Sequence, residues 1–266
     1  MKYSPRRLKK NVNISHTSPV KDFFLLLSGI SCVIIIVYLA LGLLVNIAVA
    51  RLPVKVEKSL GIIFKQFYKN AKNDEESGKL QGLVDKLTAG FSEKDRAFRI
   101  HLVENETVNA VALPGGNIVV FTGLMKEVAS EEEISFVLAH ELGHFANRDH
   151  LKGLGRGLLL WTLAALFLGN DNRVTDLAGQ SLIGVQMKFS QAQETKADLF
   201  ALELMSKQFG HVVGAVAFIQ KIALTERGGL LAYYFSTHPH PQKRVKAIQY
   251  EIRSRGYNTK GTEHGY

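Results

Sequence analysis

The chain has 266 residues, 46% of them hydrophobic, and a formal net charge of +9 at pH 7. That length and apolar content suit one domain with a sizeable core plus a membrane segment. Its single cysteine, Cys32, excludes an intrachain disulfide and a cysteine-based zinc site, and no nucleic-acid motif accompanies the basic clusters.

Lys2, Arg6, Arg7, Lys9, Lys10 and Lys21 make residues 1–22 a basic tail of the kind that flanks a membrane segment. Residues 23–50 carry no charge at all. A transmembrane helix needs about 20 apolar residues, and a cleaved signal has a shorter apolar core. The run is therefore predicted to be an uncleaved anchor, with Cys32 a small apolar residue inside it. Residues 51–255 follow as one domain.

Residues 51–94 are predicted to be helical. Leu60, Ile63, Phe64 and Phe67 form one amphipathic stripe, and Leu80, Leu83, Val84 and Leu87 another. Both are expected to pack against the rest of the domain. Residues 97–103 and 107–113 alternate like strands around a turn at Glu104, Asn105 and Glu106. Pro114-Gly115-Gly116 breaks the chain before a third strand over 118–122, so a small antiparallel sheet is expected.

Ser130 and Glu133 form a capping box that starts a helix. Ile134, Val137, Leu138, Leu142 and Phe145 give that helix a buried face. It carries His140-Glu141-Leu142-Gly143-His144, an HExxH motif. Residues at i and i+4 share a helix face, so both imidazoles can aim at one Zn²⁺. Glu141 can then reach a metal-bound water as general base without being a ligand.

A catalytic zinc wants three protein ligands and an open position. His150 is one candidate for the third, six residues after His144 as in the extended HExxHxxGxxH motif, although Asn147 stands where that motif has Gly. Glu194 is the other. The stretch 180–209 has helical periodicity and ends at Gly210, and Glu194 and Asp198 share one of its faces. Asp198 could accept the second ring N–H of a ligand histidine. Ala197 and Ala201 are small enough to let this helix approach the motif helix.

The apolar run 157–169 reads as a buried helix, a membrane-touching hairpin or a tilted span. Residues 170–178 read as loop, 212–224 as helix, and 225–231, with Gly228-Gly229, as a mobile cover for the cleft. Pro241 opens a last helix toward Arg255, and residues 256–266 form a polar tail expected to be disordered.

Several segments together resemble the M48 peptidase family of membrane-associated gluzincins. They are Asn109 to Leu124, HELGH at 140–144, Glu194-Thr195-Lys196-Ala197-Asp198, and Ser236-Thr237-His238-Pro239 with Arg244. The resemblance implies a zinc-dependent endopeptidase with a zincin-like α+β fold, mostly helical with a small sheet plus one N-terminal transmembrane helix. It implies one Zn²⁺ per chain, held by His140, His144 and Glu194, with Glu141 as catalytic base. His238 and Arg244 match positions near the metal in such enzymes, and in some relatives the matching His takes the open metal position and holds the enzyme latent. His240, in a second His-Pro, departs from the pattern.

The segment around Asn109, Ala110 and Ala112 matches the sheet edge to which such enzymes add substrate backbone. Membrane contact through 157–169 as well as 23–50 is favoured by the same resemblance. The basic flanks on either side of the anchor nearly tie, and the anchored relatives place the domain on the non-cytoplasmic side. Polypeptide substrates among membrane or envelope proteins, taken in quality control, are the family expectation. The rival is a non-catalytic membrane-anchored zinc module that binds misfolded chains.

Overall fold

The computed structural model describes residues 18–89, 97–168, 189–224, 237–239, 241–261 and 264–265. The basic cluster from Lys2 to Lys10, the loop 170–178, Gly228-Gly229 and His240 lie outside the described residues. The chain divides into two units, Met1–Leu44 and Val45–Tyr266.

Helix α1 (Pro19–Ala50) has 32 residues, and Val49 is its one buried side chain. At 1.5 Å per residue it is about 48 Å long, more than the ~30 Å hydrocarbon core of a bilayer requires. Most of its apolar side chains from Phe23 to Ile47 are exposed, with Leu41 and Val45 half-buried. By length and composition it is the single described helix fit to cross a membrane.

After the end of α1 the second unit continues with α2 (Val54–Gly61), a 3-10 helix (Ile62–Tyr68) and α3 (Glu75–Thr88). Asp74 caps α3 in a reciprocal box with Ser77. The α3 stripe of Leu80, Leu83, Val84 and Leu87 is buried, as its spacing predicts. The other stripe splits. Phe64 is 4% exposed, but Ile63 is 70% exposed.

The sheet comprises β1 (Arg99–Val103), β2 (Ala110–Leu113) and β3 (Asn117–Phe121), in the order β1-β3-β2. β2 pairs antiparallel with β3 and β1 pairs parallel with it, so the sheet is mixed. The expected β1–β2 hairpin does not form. The reversal lies instead at Pro114-Gly115-Gly116, where φ of +87° and +80° at the two glycines suits only residues without a Cβ. That hairpin gives β2 to one side of β3 and leaves the other side for β1. Residues 104–109 cross the end of β3, where Gly123 N donates to Asn105 O (2.8 Å) and Phe121 N to Asn109 O (3.1 Å).

After the short α4 (Thr122–Glu127), Ser130 caps α5 (Glu131–Ala146) by accepting from Glu133 N. α5 is buried along nearly its whole length and packs on α3, β2, α7 (Gln191–Phe209) and α8 (Val213–Leu224). α6 (Asp149–Leu168) follows, and α9 (Pro241–Arg255) closes against α7 and α8. Ser190 and Gln193 box the start of α7, and Gly210 ends it at φ +76°.

The last turn of α1 lies within the second unit and is held by Arg148 and by α6 after it. Arg148 adopts an uncommon left-handed φ of +54° and donates through Nη1 to Val49 O (2.8 Å) and Leu52 O (2.5 Å). Arg156 Nη2 donates to Asn46 Oδ1 at 3.3 Å. A Cβ on Gly155 would lie 2.6 Å from Val45 Cγ1. As α6 numbers rise, α1 numbers fall, so these turns run antiparallel. Beyond them Leu158, Leu160 and Leu166 are 46%, 41% and 74% exposed, so these residues of the 157–169 run are not those of a buried helix.

Where it is described, the polar tail is hydrogen-bonded to the domain. Val212 N donates to Asn258 O (2.8 Å) and Glu131 N to His264 O (2.9 Å). The first-turn N–H groups of a helix need acceptors from outside it, and the tail supplies one to α5. Buried Glu132 also accepts from His264 Nδ1 at 2.6 Å.

Candidate metal centre

α5 and α7 build the site by close approach. A Cβ on Gly143 would sit 2.8 Å from Ala197 Cα, so the glycine inside HELGH lets the two helices touch. This places Glu194 opposite the histidine pair. Glu194 Oε1 is 3.5 Å from His144 Nε2 and 3.2 Å from His238 Nδ1, and its Oε2 is 3.6 Å from His140 Nε2. One ligand atom from each of His140, His144, Glu194 and His238 falls within 4.8 Å of the others, and all four residues are buried.

The rings are aimed from behind. His140 Nδ1 lies 2.9 Å from Asp198 Oδ1, and His144 Nδ1 lies 3.2 Å from Asp149 Oδ2. A carboxylate only accepts, so both Nδ1 atoms donate and the Nε2 atoms face inward. These two Nε2 atoms are 3.1 Å apart. Two lone pairs at that distance repel unless a proton or a metal ion lies between them. Two nitrogens at tetrahedral zinc, with bonds of about 2.0–2.1 Å, are separated by roughly 3.3–3.4 Å. The donor set therefore fits a divalent metal.

Charge is arranged to match. Burial and the Arg244 guanidinium hold His140 below the ordinary imidazole range, although Asp198 and Glu194 oppose them. Burial also acts to lower His144, but Asp149, Glu194 and Glu141 prevail and push it up to about 9. Burial would raise Glu194, yet His238 and Arg244 keep its carboxyl well below the ordinary range. Asp198 is likewise held low by Arg244 against its burial.

Arg244, only 4% exposed, grips the rear of the site. Its Nε and Nη2 donate to Asp198 Oδ2 (2.8 Å) and Oδ1 (2.7 Å), and Nη1 is 2.9 Å from Glu194 Oε2. This bidentate grip ties α9 to α7. Glu141 Oε2 accepts from Ala112 N at 2.9 Å, while its Oε1 makes no hydrogen bond among the described residues and lies 3.6 Å from His238 Nε2.

Ala112 N points away from β3, so by strand alternation Ala110 and Ala112 direct backbone groups to the side of β2 that pairs with no strand among the described residues. Asn109 precedes the strand. Its Oδ1 lies 3.4 Å from Thr237 Oγ1, and its Nδ2 is buried without a hydrogen bond among the described residues.

His150 is elsewhere. Its Nε2 is 3.0 Å from Glu57 Oε1, in a buried pair outside the cluster. The residue before it has the role that sequence reasoning missed. Asp149 is 1% exposed, and its Oδ1 is 3.2 Å from Lys152 Nζ. Burial would raise its carboxyl, but His144, Gln193 and Lys152 hold it low. The one legible signal was an acidic residue five positions after a ligand histidine. Phe189, also missed, stacks on the His144 ring with centroids 3.8 Å apart.

Residues 74–252 match the sequence profile of peptidase family M48. Mitochondrial metalloendopeptidase OMA1 of Arabidopsis thaliana is 31% identical over 153 residues, 57% of this chain and 31% of the relative. The beta-barrel assembly-enhancing protease of Yersinia pestis is 28% identical over 181 residues, 61% of this chain and 36% of the relative. Metalloprotease LoiP of Escherichia coli (strain K12) is 26% identical over 192 residues, 69% of this chain and 73% of the relative. The chain thus spans roughly a third of the length of the first two. The profile match runs from the start of α3 into α9 and so takes in every element that carries the metal centre: the chain belongs to peptidase family M48.

Proposed function

We propose that this chain is a membrane-anchored, zinc-dependent endopeptidase acting on membrane or envelope polypeptides. The observation that carries this reading is the convergence of His140, His144 and Glu194 on one point, with Glu141 of the same helix turn beside it. Zn²⁺ held there supplies a Lewis acid that lowers the pKa of a water and polarises a peptide carbonyl.

The chain's own groups do the rest. Substrate backbone adds to the β2 edge through Ala110 and Ala112, with the Asn109 amide as a further donor. Glu141 Oε1 takes the proton of the attacking water and returns it to the leaving nitrogen. Arg244 positions Glu194 and Asp198 rather than facing substrate, which leaves His238 to face the reacting atoms. His238 Nδ1 lies 3.3 Å from His140 Nε2, close enough to serve as a fourth ligand and hold the site latent. Glu141→Gln is expected to keep zinc and to lose about 10²–10⁴-fold in cleavage of an unfolded protein such as casein. Equal cleavage by the two proteins contradicts the assignment. Zinc in both with cleavage by neither favours latency, and His238→Ala then gains activity. If His238→Ala also stays inactive, the non-catalytic, chain-binding reading takes its place.

Placement at a membrane rests on α1, and the exposed Leu158, Leu160 and Leu166 of α6 support a second lipid contact. The basic flanks of α1 nearly tie, and it is the likeness to anchored family members that favours the catalytic domain on the non-cytoplasmic side. Quality control of damaged chains is the role in keeping with an edge that reads backbone rather than side chains.

A further inference from the structure

Just past α1 the chain exposes apolar side chains that its own core does not use. Val56, Ile62, Ile63 and Phe67 are 43%, 61%, 70% and 37% exposed. Between and beside them stand Lys55, Lys58, Lys65 and Lys69, all exposed and without an ion pair among the described residues. The acidic residue of this stretch, Glu57, is buried against His150. Bulky apolar groups interleaved with lysines suit the headgroup zone of an anionic bilayer.

The patch is joined to the end of α1 through α6. Arg148 holds the Val49 and Leu52 carbonyls, His150 holds Glu57, and Leu154 packs in one cluster with Phe64. The patch is also joined to the cleft. Phe64 shares that cluster with Val111 and Leu113 of β2, and a Cβ on Gly61 would lie 2.6 Å from Pro114 O at the β2–β3 reversal.

We infer that α2 and the 3-10 helix dock on an anionic phospholipid surface and so fix the height of the β2 edge above the membrane. This rests on the reading of α1 as a membrane anchor and says where that anchor leaves the catalytic domain. Substrates would then be segments of polypeptide close to the bilayer.

The test uses the full chain in phosphatidylcholine vesicles, with and without phosphatidylglycerol, carrying nitroxide-labelled lipid as quencher. A polarity-sensitive fluorophore is placed on native Cys32, or, in a Cys32→Ser background, on Ile63→Cys or Lys207→Cys. The expected result is quenching at Ile63→Cys roughly twofold or more above that at Lys207→Cys, stronger with phosphatidylglycerol and reduced by Lys65→Glu with Lys69→Glu. Cys32 quenched while Ile63→Cys matches Lys207→Cys overturns the docking surface and leaves the anchor intact. Cys32 unquenched overturns the anchor and the docking together.

Discussion

At the scale of single residues the site is defined by what stands behind the ligands. Two carboxylates on different helices, Asp198 and Asp149, fix the tautomers of His140 and His144. Outer partners of this kind typically alter metal affinity by about 10–100-fold. Asp149→Ala is therefore expected to weaken zinc binding by about that factor in a chelator competition, with Asp149→Asn losing less because its amide oxygen still accepts. Unchanged affinity in both variants would leave Asp149 without this role.

The raised His144 predicts a pH effect. Below about 9 the metal-free ring holds a proton that zinc must displace. Affinity should thus climb about tenfold per pH unit from neutrality toward that value and then flatten. A flat profile across that range would show that His144 binds no such proton. Asp198 was legible because it repeats the i, i+4 spacing of its own helix. Asp149 was not, because its contact depends on a left-handed Arg148 that no spacing rule reports.

At the scale of elements the decisive contact is α5 on α7. Gly143 against Ala197 sets their separation, and the separation sets where Glu194 arrives. Gly143→Ala should cost about 1–3 kcal/mol in unfolding measurements and lose zinc, since overpacking moves α7 away. Retained zinc at full stability would mean the helices adjust freely.

The tail at the N-terminus of α5 gives a second prediction. Its pairing raises His264 through the bond to Glu132, and lowers Glu132 despite that residue's burial. The raised imidazole contributes to docking below the ordinary histidine range, and that contribution is lost as pH rises through the raised folded value. The lowered carboxyl contributes above the ordinary Glu range and is lost as pH falls through the lowered value. Carboxypeptidase should therefore trim the tail more slowly at about pH 6 than at about pH 9, and equal trimming would contradict the pairing.

The helices were legible from periodicity and caps, α5 above all, since Ser130, Glu133 and the apolar spacing agree. The sheet was legible as strands but not as pairings. Local turn chemistry at 104–106 suggested a hairpin, whereas the positive φ at Gly115 and Gly116 decided it. The tail's contacts were not legible, because the N–H group it satisfies on α5 belongs to a helix more than a hundred residues away.

For the whole molecule one short stretch joins the last turn of α1 to the candidate metal centre. Arg148 holds the end of α1, Asp149 holds a ligand histidine and His150 pairs with Glu57 just beyond the anchor. His150 pairs there with Glu57 and lies outside the His140, His144, Glu194 and His238 group, so the geometry favours Glu194 of the two candidates. The central claim is that His140, His144 and Glu194 hold one zinc ion. Its most direct test is the zinc content of the purified full chain beside Glu194→Ala and His150→Ala. One zinc per chain in wild type and in His150→Ala, with little in Glu194→Ala, is the predicted result. A wild type without zinc, or a Glu194→Ala protein that keeps its full complement while His150→Ala loses it, would contradict the account.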